Sequence, residues 1–304
     1  MKYLITLITL ITFINSLNFC EEKTSSIFQF RIVGGTNMKS GMNWMAKLIS
    51  FGDNNEGILC GATIIDDHWL LTAAHCALQL KKRSYVTVRQ EKTEKELTIG
   101  VRLAYIHPKY NNYTADNDIA LLRVDTSLTN KGFTPVCLVK KDTKLIDEYP
   151  NGLVVGYGLS LDSVENGKSV LVANTNQLQQ TTVPIIPAAK CSMTWRILSF
   201  RSVDISPNQV CAGSYMHGTA PGDSGGPLLI KKVDGTYIQI GVTSFGADGL
   251  EGLIDQGQYP GVYTRVSKYV PWIETIVKQS SNLNLINFTF SFLFLSITIQ
   301  FLYS

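Results

Sequence analysis

Short apolar segments, separated by Gly, Asn and Asp, follow one another at close intervals through the middle of the chain. Frequent strands at this spacing predict an all-β barrel or sandwich. Clear examples are Tyr85–Val88, Leu153–Val155, Leu228–Ile230, Tyr237–Val242 and Gly261–Val266.

One stretch near the end of this region has a different period. Pro271 fits the first turn of a helix, and Trp272, Ile273, Ile276 and Val277 would share one apolar face. We therefore expect a short C-terminal helix that packs onto the β structure.

Composition excludes several classes of protein. The 304 residues carry 27 Lys and Arg against 24 Asp and Glu, and the net charge of +3 is too small for a nucleic-acid-binding surface. A chain with 45% hydrophobic and 17% charged residues is not intrinsically disordered. The sequence has no repeat of fixed period, which argues against a solenoid or a propeller.

The first 16 residues have the pattern of a secretory signal peptide. Lys2 precedes an uncharged run, residues 3–14, which Asn15 and Ser16 follow. An N-terminal membrane anchor is the alternative, but the run is short of the roughly 20 residues that a spanning helix needs.

The C-terminal tail, residues 280–304, contains no charged residue and ends in an apolar run that begins at Phe288. The small residues Ser280, Ser281 and Asn282, a polar stretch and the apolar run resemble a GPI-attachment signal. A membrane-spanning tail and a soluble protein with an unusual terminus are the alternatives. All three place the main domain outside the cytosol, so the six cysteines indicate a disulfide framework.

The strongest chemical signal is the segment from Gly222 to Pro227, Gly-Asp-Ser-Gly-Gly-Pro. A nucleophilic serine needs free space and nearby backbone N–H groups that stabilise an oxyanion, and glycines on both sides of Ser224 allow both. A glycine-rich turn around an ordinary serine is the alternative.

A serine hydroxyl needs an adjacent base near neutral pH, and residues 71–76, Leu-Thr-Ala-Ala-His-Cys, offer His75. A third group must hold the imidazole in one tautomer, and Asp118 directly precedes an apolar strand that would bury it. Each residue alone is more often structural. Their occurrence together, in the order His, Asp, Ser, favours a catalytic set.

These motifs resemble those of the trypsin/chymotrypsin-type serine proteases. Arg31–Gly35 matches the zymogen activation junction of that family, and the segments 71–76, 116–122, 244–246 and 260–263 match further family segments. The resemblance covers roughly residues 31–278. It implies an all-β fold of two six-stranded antiparallel β-barrels with the catalytic residues in the cleft between them.

The resemblance also implies a role for each residue of the site. His75 would be the general base, Asp118 its orienting group and Ser224 the nucleophile. The N–H groups of Gly222 and Ser224 would form the oxyanion hole, and Ser244 would support the substrate backbone and the triad.

Activation by proteolysis follows from the same resemblance. Residues 1–16 would be the signal peptide, 17–31 the propeptide and 32–279 the protease domain. Cleavage after Arg31 would free the α-amino group of Ile32, which would pair with Asp223 and order the oxyanion loop, because an unpaired buried ion is strongly destabilising. The activating protease should prefer a basic residue.

The family pattern implies three disulfides, which would staple the His75 loop, staple the loop below the substrate pocket and keep the cleaved propeptide attached. They are Cys60–Cys76, Cys191–Cys211 and Cys20–Cys137.

Two disulfides that are common in the family are absent as complete pairs. Gly152 and Ile230 stand where one pair occurs, and Ala220 replaces a cysteine of the other. The loss of each bridge would lower the free energy of unfolding by roughly 2–4 kcal/mol, because a disulfide restrains the unfolded chain. Pro221, just before the oxyanion glycine, is also unusual for the family.

The residue before the scissile bond is called the P1 residue. The pocket that would bind it differs from the pocket of trypsin-like members, which carry an Asp six residues before the nucleophile. Here that residue is Gly218, and its neighbours His217 and Thr219 are not acidic. A substrate cation would be costly to bury without a counterion, while Gly246 and Gly261 leave the pocket walls open. We therefore expect a large apolar or aromatic P1 residue.

Two other P1 preferences remain open. His217 allows an acidic preference, and Asp248 or Asp255 could restore a basic one. The residues expected to bind substrate are Gly218, Thr219, Ser244, Phe245, Gly246 and Gly261.

These features together predict an extracellular serine endopeptidase, secreted or tethered to the outer cell surface, that acts through an acyl-enzyme. Asn112-Tyr-Thr is an N-glycosylation sequon in the loop before Asp118. Neither a cofactor nor a metal site is indicated, and the expected partners are protein or peptide substrates, an activating protease and protein inhibitors. The alternative is a catalytically inactive binding protein on the same scaffold, which the altered pocket leaves open.

Overall fold

The structure is a computed structural model that describes residues 36–37, 42–51, 57–78, 80, 84–90, 95–165, 168–172 and 177–280. The expected signal peptide, the propeptide and its Cys20, and the activation junction at Arg31 and Ile32 lie outside these residues. The tail from residue 281 onward also lies outside them.

The first half of the described chain forms a closed antiparallel barrel in which the strands pair in the order β2, β3, β4, β7, β6, β5. Its interior is filled by fully buried aliphatic side chains such as Leu48, Ile64 and Leu121. The six strands are β2 (Met45–Phe51), β3 (Gly57–Asp66), β4 (Trp69–Thr72), β5 (Tyr85–Arg89), β6 (Glu96–Ile106) and β7 (Ala120–Val124).

A second antiparallel barrel follows. Its strands are β9 (Asn151–Gly156), β12 (Gln179–Ile186), β13 (Gln209–Ala212), β14 (Pro227–Lys231), β15 (Tyr237–Phe245) and β16 (Gly261–Arg265). They pair in the order β9, β12, β13, β16, β15, β14, and β14 pairs with β9 to close the ring. The prediction of two six-stranded antiparallel barrels is therefore confirmed.

The remaining strands are peripheral. β1 (Thr36–Asn37) pairs with β12, and β8 (Cys137–Leu138) pairs in parallel with β15. β10 (Ser160–Glu165) and β11 (Lys168–Val172) form a separate hairpin.

The helices are short and lie at the ends of the barrels. They are α1 (Ala74–Ala77), α2 (Thr143–Glu148), α3 (Ala188–Leu198), α4 (Gly249–Ile254) and a C-terminal helix, α5, over residues 270–280. Within the part of the chain that the structure describes, no helix is both long enough and apolar enough to span a membrane.

Helix α5 confirms the prediction made from its period. Pro271 lies in the first turn, Ile273 and Val277 are buried in the core, and Trp272 and Ile276 pack against that core. The helix thus attaches the end of the second barrel to a hydrophobic core that also contains the first.

The two barrels are joined by shared packing and by a buried polar contact. The core of the first barrel continues into Leu153, Val155 and Leu229 of the second. The Thr63 hydroxyl on β3 donates a 2.7 Å hydrogen bond to Oε1 of Gln239 on β15. The cleft between the barrels is therefore bordered by strands whose relative positions are fixed.

The structure contains two of the expected disulfides, Cys60–Cys76 and Cys191–Cys211. Cys137 is also disulfide-bonded, and its expected partner, Cys20, is outside the described residues.

Apolar packing occupies the place of one absent family disulfide. A Cβ atom on Gly152 would lie only 2.6 Å from Cδ1 of Leu228, so the Leu228 side chain fills the space beside this glycine. Ile230 stands where the second cysteine of this disulfide would be, and it is fully buried among aliphatic side chains of the second barrel. Apolar side chains therefore fill the space that this disulfide would occupy.

Candidate active site

His75 is positioned by the short helix α1, which begins two residues after β4 ends. The Cys60–Cys76 disulfide ties this helix to β3, so the residue next to His75 is bonded covalently to the barrel. The His75 side chain is about one-third exposed, which leaves its ring open to the cleft.

Asp118 holds the imidazole of His75 from two directions. Its Oδ2 lies 2.8 Å from His75 Nδ1, and its Oδ1 accepts a 2.9 Å hydrogen bond from the His75 backbone N–H. The carboxylate is buried, with 1% of the side chain exposed. Because a carboxylate accepts hydrogen bonds, the contact places a proton on Nδ1 and leaves Nε2 of the neutral ring as the basic atom.

Two further contacts fix Asp118 itself. The Ser244 hydroxyl on β15 donates a 2.5 Å hydrogen bond to Oδ2, and the Thr264 hydroxyl on β16 donates a 2.8 Å bond to the Asp118 carbonyl. The orienting carboxylate comes from the first barrel, whereas both hydroxyls come from the second. The geometry of the His–Asp pair thus depends on the docking of the two barrels.

The Ser224 segment of the second barrel docks directly onto the first. The Ser224 carbonyl accepts a 2.7 Å hydrogen bond from Gly61 N–H on β3, and the Gly61 carbonyl accepts a 2.8 Å bond from the Thr72 hydroxyl. Gly225 has a φ of +78°, and a Cβ there would collide with Thr72 Oγ1 and lie 2.5 Å from the Gly61 carbonyl oxygen. Only a glycine permits this approach.

The backbone before Ser224 has the conformation that an anion-binding turn requires. Gly222 has a φ of +97°, a region that side chains disfavour. Pro221, which is exposed, does not disturb the turn, and its carbonyl accepts a 2.9 Å hydrogen bond from Leu159. The N–H groups of Gly222 and Ser224, the predicted oxyanion-hole donors, belong to this turn.

The structure joins His75 to Asp118 and docks the Ser224 segment on β3 of the first barrel. Among the residues that the structure describes, no hydrogen bond joins Ser224 Oγ to His75, and His75 Nε2 lies 3.5 Å from Sγ of Cys76. Catalytic hydrogen bonds in free enzymes are often long and shorten when substrate binds. The Cys60 and Cys76 sulfurs and the His75 ring lie within 4.8 Å of one another, but the disulfide leaves no thiolate for a metal.

Asp223 is a fully buried carboxylate beside the nucleophile. Oδ1 accepts a 2.7 Å hydrogen bond from Gly158 N–H, and Oδ2 accepts a 2.9 Å bond from Ala220 N–H. Gly156 and Gly158 enclose it, since a Cβ on Gly158 would lie 2.6 Å from its Cγ atom. Burial raises the pKa of Asp223 from 3.8 to about 6, although the two backbone hydrogen bonds lower it. No cation of the described residues contributes to this pKa.

The expected substrate-binding residues lie at the end of β15, on β16 and in the segment that precedes the Ser224 turn. Phe245 pairs with Val262 across β15 and β16, which brings Gly246 close to Gly261. Phe245 packs edge-on against Trp195 of α3, with ring centroids 5.0 Å apart. Gly218 and Thr219 are both buried.

Of the three residues that left other P1 preferences open, His217 and Asp255 bind other groups. His217 Nδ1 forms a 2.9 Å hydrogen bond with Thr181 Oγ1 on β12. Asp255 Oδ1 accepts hydrogen bonds from the N–H groups of Gly257 and Gln258, both at 3.1 Å. Asp248 is exposed at the start of α4.

The sequence analysis missed Gln256. Its buried carboxamide is bonded to both backbone polar groups of Thr219, 37 residues away in the chain. No motif surrounds Gln256, and an isolated glutamine in a polar loop gives no signal of such a contact.

The loop before Asp118 is exposed and held by its own side chains. Asn111 Oδ1 accepts hydrogen bonds from the N–H groups of Tyr113 and Thr114, at 2.9 and 3.3 Å, and the sequon residue Asn112 is exposed. Burial, with a smaller contribution from the Asp118 carboxylate, raises the pKa of Tyr110 to about 12.

Comparison with known proteins places the chain in a family. The sequence model of the family described as Trypsin matches residues 32–273. The chain belongs to the trypsin family. Its predicted resemblance to trypsin/chymotrypsin-type serine proteases is thereby confirmed.

Individual relatives of this trypsin-family chain are proteins named vitamin K-dependent protein C. The protein from Oryctolagus cuniculus is 32% identical over 261 residues, which cover 82% of this chain and 53% of the relative. Those from Mus musculus and Rattus norvegicus are 31% and 32% identical and each covers 82% of this chain and 52% of its own length. The chain thus spans about half the length of these curated relatives.

Proposed function

We propose that this trypsin-family protein is an extracellular serine endopeptidase that is made as a zymogen and activated by cleavage after Arg31. The observation that carries the proposal is the position of Asp118. Its buried carboxylate binds the His75 ring and the Ser244 hydroxyl, while the Ser224 turn docks on the same barrel interface.

In the proposed reaction, Ser224 Oγ attacks the carbonyl carbon of the peptide bond while His75 Nε2 takes the hydroxyl proton. The oxyanion that forms accepts hydrogen bonds from the N–H groups of Gly222 and Ser224. His75 then gives its proton to the leaving amine, and the acyl-enzyme ester remains. Water hydrolyses the ester with His75 again acting as the base. Asp118 keeps the imidazole in the required tautomer and stabilises its protonated form.

Activation in this proposal rests on the charge of Asp223. Cleavage after Arg31 creates an α-ammonium group on Ile32, and the Asp223 carboxylate would bind it. A buried charge that gains a partner is strongly stabilised. Because Asp223 lies between Gly222 and Ser224, this ion pair would hold the oxyanion hole in its active conformation.

Substrates are expected to be proteins or peptides with a large apolar or aromatic P1 residue. The walls of the proposed pocket are Ser244, Phe245, Gly246 and Gly261 on one side and the segment 218–219 on the other. The Asp255 oxygens accept hydrogen bonds within their own loop, which argues against a basic preference. An activating protease with a basic preference and protein inhibitors are the further proposed partners.

The proposed location is outside the cell. The signal-like residues 1–16 would direct secretion, and the tail, residues 280–304, would tether the protein to the outer surface through a GPI anchor or a membrane span. Cys20–Cys137 would keep the propeptide attached. An N-linked glycan on the exposed Asn112 would border the substrate cleft.

A fluorophosphonate, which reacts with activated serine hydroxyls, tests the function directly. The protein is purified from expressing cells and labelled before and after cleavage at Arg31, and the same is done with Ser224→Ala. We expect labelling and peptide hydrolysis only in the cleaved protein with Ser224 present, with activity reduced by at least about 1,000-fold in the variant. A verified cut without labelling would contradict the proposal and leave the inactive binding protein as the better description.

A further inference from the structure

Gln256 joins two separate segments of the second barrel through one side chain. Its Nε2 donates a 2.5 Å hydrogen bond to the Thr219 carbonyl, and its Oε1 accepts a 3.1 Å bond from the Thr219 N–H. The residue is 4% exposed. Both polar backbone groups of Thr219 therefore find their partner in this carboxamide.

Three glycines make room for the Gln256 side chain. A Cβ on Gly213 would lie 2.5 Å from the Gln256 Cβ, and one on Gly261 would lie 3.1 Å from Oε1. A Cβ on Gly218 would collide with Oε1 and lie 2.6 Å from Nε2. The carboxamide thus occupies the volume in which a side chain at position 218 would stand.

This volume adjoins the segment that leads into the Ser224 turn. Thr219 leads directly into Ala220, whose N–H binds Asp223, and so into the proposed oxyanion hole. Gly261 begins β16. It lies beside the end of β15, where the Ser244 hydroxyl donates its hydrogen bond to Asp118. Gln256 therefore bridges the two walls between which a P1 side chain would enter.

The other polar group at this depth is also neutral. The Tyr263 side chain is fully buried, and its hydroxyl would lie 3.4 Å from a Cβ on Gly261. Burial raises the pKa of this hydroxyl, so it stays protonated. The Tyr263 hydroxyl thus places a second uncharged polar group beside Gly261.

We propose that Gln256 forms the floor of the P1 pocket and selects an uncharged P1 side chain. The inference rests on the proposed peptidase function and names the residue that would set its specificity. The carboxamide limits the depth of the pocket, offers no negative charge to a Lys or Arg substrate, and ties the walls together where relatives have a disulfide at Ala220. A P1 cation would be buried without a counterion, whereas an aromatic or large aliphatic side chain would not.

The test compares four cleaved proteins on peptides that differ only at P1, with Tyr, Phe, Leu, Lys or Arg. They are the natural protein, Gln256→Ala, Gln256→Met and the control Gln258→Ala. Gln258 is exposed in the same loop, and its side chain donates a hydrogen bond to Asp255. Fluorophosphonate titration of Ser224 normalises every rate to the number of working sites, which separates specificity from misfolding.

We expect the natural protein and Gln258→Ala to favour neutral P1 residues over Lys and Arg by at least about 100-fold in kcat/KM. Gln256→Ala should lose at least about 10-fold on Phe and Leu, mainly through KM, because the floor is missing. Gln256→Met should restore most of this loss, because it fills the same volume. Unchanged kcat/KM on Phe and Leu in Gln256→Ala would refute the inference, as would a preference of the natural protein for Lys or Arg; both results leave the peptidase function standing.

A binding measurement tests the floor without catalysis. In the Ser224→Ala background, we expect cleaved protein to bind indole, a neutral aromatic probe, more tightly than the cationic aromatic benzamidine by calorimetry. Adding Gln256→Ala should weaken indole binding at least about tenfold. Tighter binding of benzamidine than of indole, or an indole affinity that Gln256→Ala leaves unchanged, would overturn the inference. This holds even if no fluorophosphonate labelling were seen.

Discussion

The buried Asp223 carboxylate should make the uncut protein lose stability as the pH rises, and Asp223→Asn should remove that dependence. The folded-state pKa, about 6, lies above the ordinary value of 3.8. Between these values the folded protein holds a proton that the unfolded chain releases. The contribution of Asp223 is therefore present below about pH 4 and is lost as the pH rises through 6.

The magnitude follows from the size of the shift. A rise from 3.8 to about 6 corresponds to about 3 kcal/mol of unfolding free energy at roughly 1.4 kcal/mol for each pKa unit. The Asn side chain cannot match both backbone donors, since its amide would face the N–H of either Gly158 or Ala220. The pH slope, and not the absolute stability at one pH, is therefore the informative quantity.

Urea denaturation of the uncut protein at several pH values between 4 and 8 measures this slope. A Ser224→Ala background prevents self-cleavage. The free energy of unfolding of the protein with Asp223 should fall by about 3 kcal/mol over this range, relative to that of the Asp223→Asn variant. Asp125→Asn is the matched control, because the Asp125 side chain is 65% exposed in an ion pair with Arg102, and this variant should leave the slope unchanged.

Cleavage at Arg31 should abolish most of this loss near neutral pH, since the new ammonium group of Ile32 would pair with the carboxylate. The ordinary α-amino pKa is about 8, so this protection should disappear in alkaline solution. Parallel pH slopes for the uncut protein and for Asp223→Asn would refute the reasoning. Such a result would mean that Asp223 meets solvent or a cation before activation.

Two further substitutions test the contacts that link the barrels and their loops. Ser244→Ala should lower kcat by roughly 10- to 100-fold with little change in KM, because Asp118 loses the 2.5 Å hydrogen bond that helps to orient it; steady-state kinetics that show a pure KM effect would contradict this role. Arg265→Met should lower the free energy of unfolding by roughly 3–5 kcal/mol, because Asp142, 2% exposed, would lose its bidentate partner. Adding Asp142→Asn should recover part of the loss in urea denaturation, and an equal loss in both variants would contradict the ion-pair account.

The parts of the fold and site that the sequence predicted are those with local signals. Strands such as Tyr85–Arg89 follow from short apolar runs, and α5 follows from its period and Pro271. His75, Asp118 and Ser224 each lie in a short motif whose neighbours prepare the chemistry. Their local context therefore predicted a triad, although it did not predict the distance between His75 and Asp118.

The contacts that the sequence did not predict join residues far apart in the chain. Gln256 reaches Thr219 across 37 residues, and Arg265 reaches Asp142 across 123. In the sequence, neither the loop residue Gln256 nor Arg265 at the end of β16 differs visibly from a solvated side chain. The sequence showed that a family cysteine is absent at Ala220, but it did not predict the contact between Gln256 and the neighbouring Thr219.

The two disulfides between described cysteines connect neighbours along the sequence. Cys60 and Cys76 are 16 residues apart, Cys191 and Cys211 are 20 apart, and no other cysteine lies between the members of either pair. Short loops close with less entropic cost than long ones, so each native pair is also a pair that forms readily in the unfolded chain. The repacked position at Gly152 and Ile230 removes a bridge that would have spanned two strands distant in sequence. During oxidative folding, the order of the cysteines thus favours the native partner over mispaired alternatives before either barrel has closed.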